Sequence, residues 1–420
     1  MKKLSILLVV ALLVSTLVAP ALADGMVLSW WGNQTRNERT IAALELYKNE
    51  TGVEVDGQFN AWADYWSKLA TAAAGNALPD VLQMDYQYLL QYVTDGLLVD
   101  LTPWIESGAL DVSKMNAGIL ESGSVDGGVY AICIGENAPS LFYNKTLLDS
   151  VGITVKDNMT WDEFYALCRE VYEKTGYKTN FGFGSNQTMD YYLRGVGKQL
   201  YVDDKLGVTA EDLVDFYKFF ETGIAEGWHV TSEVFAETTV GSVEQDPMVY
   251  GSSPDTMSWC AFMWSNQLVA MQAAAPEGME LGITTWPSVD PQKSNYLKPS
   301  QFFSVTRDAS DVDAAVSLVN FWTNSVAANE ILLGERGIPA SSEVADGITE
   351  LLDDQNKMVV DYINNVVSPN CSAISAPEPA AAAEFYAVTD EMMEYLCYGA
   401  ITAEQAAAQT IEAAESIFGK

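Results

Sequence analysis

Histidine is almost missing from this chain: His229 is the single one in 420 residues. With no second histidine there is no HExxH pair and no histidine-based metal set, so His229 reads as a structural or surface residue. Basic residues are scarce as well. Lys and Arg number 22 against 57 Asp and Glu, for a net charge of −35. That charge repels nucleic acid and anionic lipid surfaces, and neither is expected as a partner. It also disfavours an anionic ligand without a local Arg cluster; a neutral one fits best. The five cysteines (Cys133, Cys168, Cys260, Cys371 and Cys397) show neither CxxC nor metal spacing. Their odd number leaves at least one unpaired in a monomer, and they read as small buried apolar residues, with a Cys371–Cys397 bridge left open. No GxSxG, phosphate-binding loop or GxGxxG after a strand occurs. Among 57 carboxylates, two that lie near each other in sequence mean nothing. No catalytic residue, metal or cofactor is therefore expected. After the first residues no run is long and apolar enough to span a membrane.

What is present begins with a secretory signal over residues 1–23. Lys2 and Lys3 form its basic start, Leu4–Val18 its apolar stretch, and Ala21-Leu22-Ala23 a small-x-small cleavage site. No cysteine follows that site to carry a lipid. The mature chain is expected to be soluble and exported, to a periplasm or the cell envelope. Its length favours two domains. Eleven Trp and 20 Tyr suit a ligand that lies on flat rings and hydrogen-bonds at its edges.

Met26–Trp30 reads as a strand, Arg36–Glu50 as a helix with apolar residues at Ile41, Leu44 and Tyr47, and Val53–Phe59 as a second strand. This βαβ opening implies a parallel sheet, whose ligands sit at the carboxyl ends of the strands. The loop Trp30–Arg36 lies there, with Trp31, Asn33, Gln34 and Arg36. Arg36, in the first turn of a helix, opposes the helix dipole. Either it faces a cleft or Glu38 or a surface carboxylate neutralises it. Trp62, Asp64 and Tyr65 stand at the next strand-to-helix junction. Asp80–Asp85 reads as a third strand ending at Asp85-Tyr86.

The stretch Gly127–Asp149 organises the chain. It runs apolar through Val129–Ile134, breaks at Gly135-Glu136-Asn137, turns at Pro139 and resumes at Leu141-Phe142-Tyr143 before Asn144 opens a helix. It is either two strands joined by a turn or a crossover from one α/β lobe to another. Thr160-Trp161-Asp162-Glu163 is a capping box. Phe181–Gly184 reads as a short strand, Asp190–Arg194 as the start of a helix, and Asp255–Trp264 and Leu281–Trp286 as strands. Ser375–Pro379 reads as a rigid, exposed loop.

Several of these pieces, in order, carry a resemblance. WWGNQTRNERT, YKNETGVEV, DYWSKLATAAAGNALPDVLQMDY and DGLLVDLTPW, then YAI…LFYNKTLLD, TWDEF, KPSQFFSV and RGIP, together resemble family 1 bacterial extracellular solute-binding proteins, the maltose-binding-protein-like sugar receptors of ABC transporters. The resemblance implies an α/β, two-lobe periplasmic-binding-protein fold (Venus flytrap, type II) with interleaved lobes and a hinge. The N-terminal lobe would comprise 24–134 plus about 302–345, and the C-terminal lobe 135–301 plus about 346–420. It implies a monomeric receptor, a small-molecule carbohydrate ligand and ABC-transporter permease subunits as membrane partners. It adds site residues at the hinge crossings, Glu136 and Asn137 in the first, Ser300 and Gln301 in the second, and Arg336 in the RGIP turn. From the second lobe it adds Trp264 or Trp259, Asn266, Glu378 and Phe385; at Phe385 the maltose-binding relatives carry a Trp. Two rival readings remain, a secreted carbohydrate-acting enzyme and a receptor for a non-sugar solute such as a polyamine or peptide.

Overall fold

The computed structural model describes residues 25–419 apart from 33, 182–184, 203, 204, 239–242, 252, 254, 255 and 380. The signal segment 1–23, Asn33 and most of the Phe181–Gly184 strand thus lie outside the described residues. Eight strands build two sheets: β1 (Met26–Trp31), β2 (Val55–Asn60), β3 (Val81–Met84), β4 (Ile132–Asn137), β5 (Pro139–Asn144), β6 (Cys260–Trp264), β7 (Leu281–Thr284) and β8 (Lys298–Val305). The first sheet has the order β2-β1-β3-β8-β4 and the second β6-β5-β7. In the first, β1 pairs parallel with β2 and β3, while β8 runs antiparallel to β3 and β4. The second is antiparallel throughout. The sheet is therefore mixed where βαβ reasoning alone implies a parallel one, because β8 arrives from the far end of the chain.

Local sequence explains the elements. Leu28 and Trp30 of β1 are fully buried, as is Val81 of β3, so these strands read as continuous apolar runs rather than alternating ones. Gly57 interrupts β2 because the Trp30 ring lies across it; a Cβ there would sit 2.7 Å from the ring. Helix α1 (Gln34–Thr51) buries Ala43, Leu44 and Tyr47 on one face, while Ile41 is exposed. Thr160 and Glu163 form the expected capping box, and Thr209 and Thr402 cap two later helices the same way. All five cysteines are free, so Cys371 and Cys397 are not bridged.

The first sheet passes into the second within one residue, since only Ala138 separates β4 from β5. Here the expected break at Gly135-Glu136-Asn137 is not a break: β4 continues through it to Asn137. Gly135 serves close approach instead. A Cβ on it would lie 2.2 Å from the Arg336 carbonyl oxygen and 2.8 Å from Ser300 Oγ, so only glycine lets three segments meet here. Ser300 Oγ donates to the Gly135 carbonyl at 2.6 Å and also reaches the Arg336 carbonyl. Glu136 and Ile338 exchange backbone hydrogen bonds of 2.8 and 3.1 Å.

An ion-pair network locks the same region from below. Arg36 Nε donates to Glu335 Oε1 at 2.6 Å and Arg336 Nη1 to Glu335 Oε2 at 3.1 Å. Arg336 also donates to Gln83 Oε1 at 3.0 Å and Thr40 Oγ1 at 2.8 Å, with its guanidinium 5.2 Å from the Trp322 ring centre. Glu335→Ala would leave two largely buried guanidinium groups without their counter-charge. It is expected to cost about 3 kcal/mol, read as a lower urea midpoint at unchanged slope.

Candidate functional site

A groove of about 670 Å³ opens where the two sheets face each other. One wall is the start of helix α3 (Tyr86–Thr94). Asp85 follows β3 in extended conformation and accepts a hydrogen bond from the Gln87 amide at 3.0 Å, which caps the start of the helix and places Asp85, Tyr86 and Tyr88 on the groove. Opposite stand Trp264 at the end of β6, Tyr296, and Lys298 at the head of β8. The Lys298 ammonium lies 5.3 Å from the Trp264 ring centre, a cation–π arrangement.

The remaining wall is a strap, residues 374–379, held from helix α4 (Ser185–Gly195). Asp190 and Arg194 are four residues apart on α4 and so share a face. Arg194 donates to Ser375 Oγ (2.8 Å), Ser372 Oγ (2.7 Å) and the Ala373 carbonyl (2.7 Å), and its guanidinium lies 4.9 Å from the Tyr296 ring centre. Ser375 Oγ donates to Asp190 Oδ2 at 3.1 Å. Across the groove, Tyr86 OH donates to the Ser375 carbonyl at 3.1 Å. Pro377 and Pro379 carry no amide proton and keep the strap out of any sheet.

Burial sets the electrostatics. It raises the Asp85 carboxyl, against the Gln87 amide and Lys298, and lowers Lys298, against Asp85. It raises Asp190 too, with Arg194 opposing. Tyr86 is pushed up to about 12, chiefly by burial. The groove thus presents aromatic faces with carboxylates and one ammonium at their edges. Such a wall can lie against an apolar ring face and exchange hydrogen bonds with hydroxyls. No cluster of metal-ligating side chains occurs among the described residues.

Of the residues singled out in the sequence, the structure brings Asp85, Tyr86, Trp264 and Glu378 to the groove. Others lie elsewhere. Trp31 packs inside a ring cluster, 4.9 Å from Trp62 and 5.0 Å from Tyr65. Tyr65 is buried and donates to the Gln83 carbonyl at 2.6 Å, while Trp62 and Asp64 are exposed. Gln34 donates to Glu38 at 2.9 Å, and Arg36 pairs with Glu335. Trp259 is fully buried and donates to Thr179 Oγ1 at 2.9 Å; Phe385 is fully buried against Tyr201 and Phe418. Asn266 is exposed beyond the end of β6. Ser300 and Arg336 hold the crossing, and Glu136, Asn137 and Gln301 lie in it, with Glu136 Oε2, Asn137 Oδ1 and Gln301 Oε1 buried without partners among the described residues. Sequence reasoning missed Asp190, Tyr296, Lys298 and Ser375 as wall residues. The signal for the first was the Asp190/Arg194 spacing; for Lys298 it was a lone cation in an acidic chain.

Known proteins resemble this chain in sequence and in fold. Residues 42–358 match the family model of bacterial extracellular solute-binding proteins. A carbohydrate ABC transporter substrate-binding protein of Streptococcus pneumoniae is 22% identical over 223 residues, 49% of this chain and 44% of that protein, so the chain aligns with less than half of that relative. A family 1 extracellular solute-binding protein of Alicyclobacillus acidocaldarius superposes with a TM-score of 0.86 at 26% identity, covering 94% of this chain and 98% of the other. An oligogalacturonide-binding protein of Yersinia enterocolitica reaches 0.76 at 20% identity over 94% and 98%.

The crossing has a pH signature. Burial pushes Glu136 from 4.5 up to about 8 and Asp246 from 3.8 up to about 7. The folded protein then holds protons that the unfolded chain releases, and this contribution to stability is full below pH 4 and lost as pH rises to 8. His229 works the other way: burial lowers it from 6.5 to about 4, so its contribution is full above 6.5 and lost towards 4. Between about pH 7 and pH 8 Glu136 carries most of the titration of the three, with Asp246 completing its own, and Glu136 should account for a fall in stability of about 1 kcal/mol. The fall in urea midpoint across that interval should be much smaller in Glu136→Gln.

Proposed function

The chain belongs to the bacterial extracellular solute-binding proteins, and we propose that it is the receptor of an ABC importer for a neutral sugar or oligosaccharide. The observation that carries the reading is the groove, with Trp264, Tyr86 and Tyr296 as faces and Asp85, Glu378 and Lys298 at their edges. Rings suit the apolar faces of a pyranose. Carboxylates and an ammonium suit its hydroxyls, and a site built for hydroxyls rejects ligands that lack them because its own polar groups would be left unpaired. The carbohydrate-binding relative supports the same class.

In this reading the lobes are 24–134 with about 302–345, and 135–301 with about 346–420, joined at the crossings around Gly135, Ser300 and the segment after Ile338. In this structure α3 already meets the strap through the Tyr86–Ser375 bond, so opening about those crossings would break that bond and closure on a ligand would restore it. The receptor would then present the closed form to permease subunits. The signal segment and the absence of any helix among the described residues long and apolar enough to cross a membrane accord with an exported, water-facing receptor.

Thermal unfolding against a panel of mono-, di- and oligosaccharides tests the reading. A ligand that binds only the folded state adds roughly 2.7 kcal/mol at a hundred times Kd, so one glycan should raise Tm while its isomers do not. Trp264→Ala should weaken that glycan by roughly tenfold or more with Tm of the free protein nearly unchanged. A shift with polyamines or peptides and none with sugars would overturn the assignment.

A further inference from the structure

Aromatic faces and carboxylates in one groove are also the chemistry that holds organic ammonium ions. Trp264, Tyr296 and Tyr86 supply the rings here, and Asp85 and Glu378 the carboxylates. A chain of net charge −35 moreover concentrates cations around itself. On those grounds alone a diamine would suit the groove as well as a sugar. The chain, however, brings cations of its own to these rings. The Lys298 ammonium lies 5.3 Å from the Trp264 ring centre, and the Arg194 guanidinium 4.9 Å from that of Tyr296. The two differ in place. Arg194 is buried and held by Ser294, Ser372, Ala373 and Ser375, whereas Lys298 lines the groove itself. Its backbone is fixed at the head of β8, opposite Asn137 of β4, so the pairing of these strands delivers the ammonium to this spot. Burial disfavours its charge, while Asp85 and, more weakly, Glu378 favour it.

We propose that Lys298 is a specificity-determining residue: its ammonium takes the place beside Trp264 that a ligand ammonium would occupy, and so excludes cationic solutes from a groove whose rings and carboxylates would otherwise bind them. The inference rests on the groove being the ligand site of the receptor read above, and it does not require that ligand to be a sugar. A diamine entering the groove meets a like charge at the ring and carboxylates that already face an ammonium. Discrimination of this kind comes from a repulsive element, not from a better contact with the chosen ligand. A neutral ligand bearing hydroxyls meets no such penalty, because an ammonium donates to hydroxyl oxygens.

Titration with putrescine and spermidine at low salt, read by calorimetry and by Tm, tests this. The unmodified protein should show no shift in Tm. Lys298→Met keeps most of the stem and removes the charge; it should bind both amines at least roughly tenfold more tightly, and added salt should weaken that binding. Lys298→Gln is the second neutral variant and should behave alike. Lys298→Arg, which keeps the charge, should stay unresponsive. Adding Asp85→Asn to Lys298→Met should abolish the gain. A rise in Tm with either amine in the unmodified protein would refute the proposal, and so would a folded neutral variant without a gain or an equal gain in Lys298→Arg. The sugar panel separates the two readings. Glycan binding by the unmodified protein with no amine gain in the neutral variants sinks this inference alone. An amine gain in Lys298→Met with no glycan bound by the unmodified protein sinks the carbohydrate reading alone.

Discussion

Everything in this molecule depends on how closely three stretches of backbone pass between the two sheets. Gly135, Ser300 and Arg336 meet there at separations that exclude even a methyl group. Ser300 uses one hydroxyl to tie the other two carbonyls together. The positions of β5 and β8, and with them Trp264's partner strand and Lys298, are set by this contact. Below it the Arg36–Glu335–Arg336 network fixes the first-sheet side. Such a buried network contributes little net stability over an apolar substitute. Its guanidinium donors nonetheless reach α1, β3 and the crossing at once, which one apolar side chain cannot do. The opposed charges are best understood as fixing a relative placement.

The groove is built by a second device of the same kind. Arg194 is spent on the protein itself: its Nη donors go to Ser375 on the strap and to Ser372 and Ala373 just before it, and its Nε to the Ser294 carbonyl. It is a positioning residue, and it also neutralises Asp190. Besides Asp190, the charged residues lining the groove are Asp85, Glu378 and Lys298. Two carboxylates against one ammonium leave the lining acidic, in keeping with a chain of net charge −35. An anionic ligand would meet that lining unfavourably, whereas hydroxyls can take from either sign.

Much of the fold was legible in the sequence. The apolar run of β1, the one-faced period of α1 and the capping box at Thr160 each announce themselves locally, and the order of motifs resembling a known family supplied the two-lobe plan. What was illegible depended on distance along the chain. Arg36 looked like a cleft residue because its partner Glu335 lies 299 positions later. Gly135 looked like a strand break because glycine marks close approach and chain breaks with the same letter; here a carbonyl from a remote segment decides between them. Trp259 and Trp264 are near in sequence and equally aromatic. Trp259 sits at the buried start of β6 and Trp264 at its open end, and only the pairing of β6 with β5 separates them. The strap was read as an exposed loop, since nothing local shows that Arg194 reaches it.

The polar atoms left over point in one direction. A folded chain pairs its buried polar groups, and exceptions concentrate where structure serves another purpose. Here Glu136, Asn137 and Gln301 carry orphan acceptors at the crossing. Three acceptors without donors raise the cost of the charged carboxylate, and burial alone holds Glu136 neutral to about pH 8. A protonated Glu136 leaves the crossing without an uncompensated buried charge. A segment designed only for rigidity would fill these positions with apolar side chains, as the neighbouring Ile132 and Phe303 do. In the proposed receptor, polar residues retained at such a cost would suit a crossing that trades partners on closure, since apolar packing of that density has one arrangement and hydrogen bonds have several.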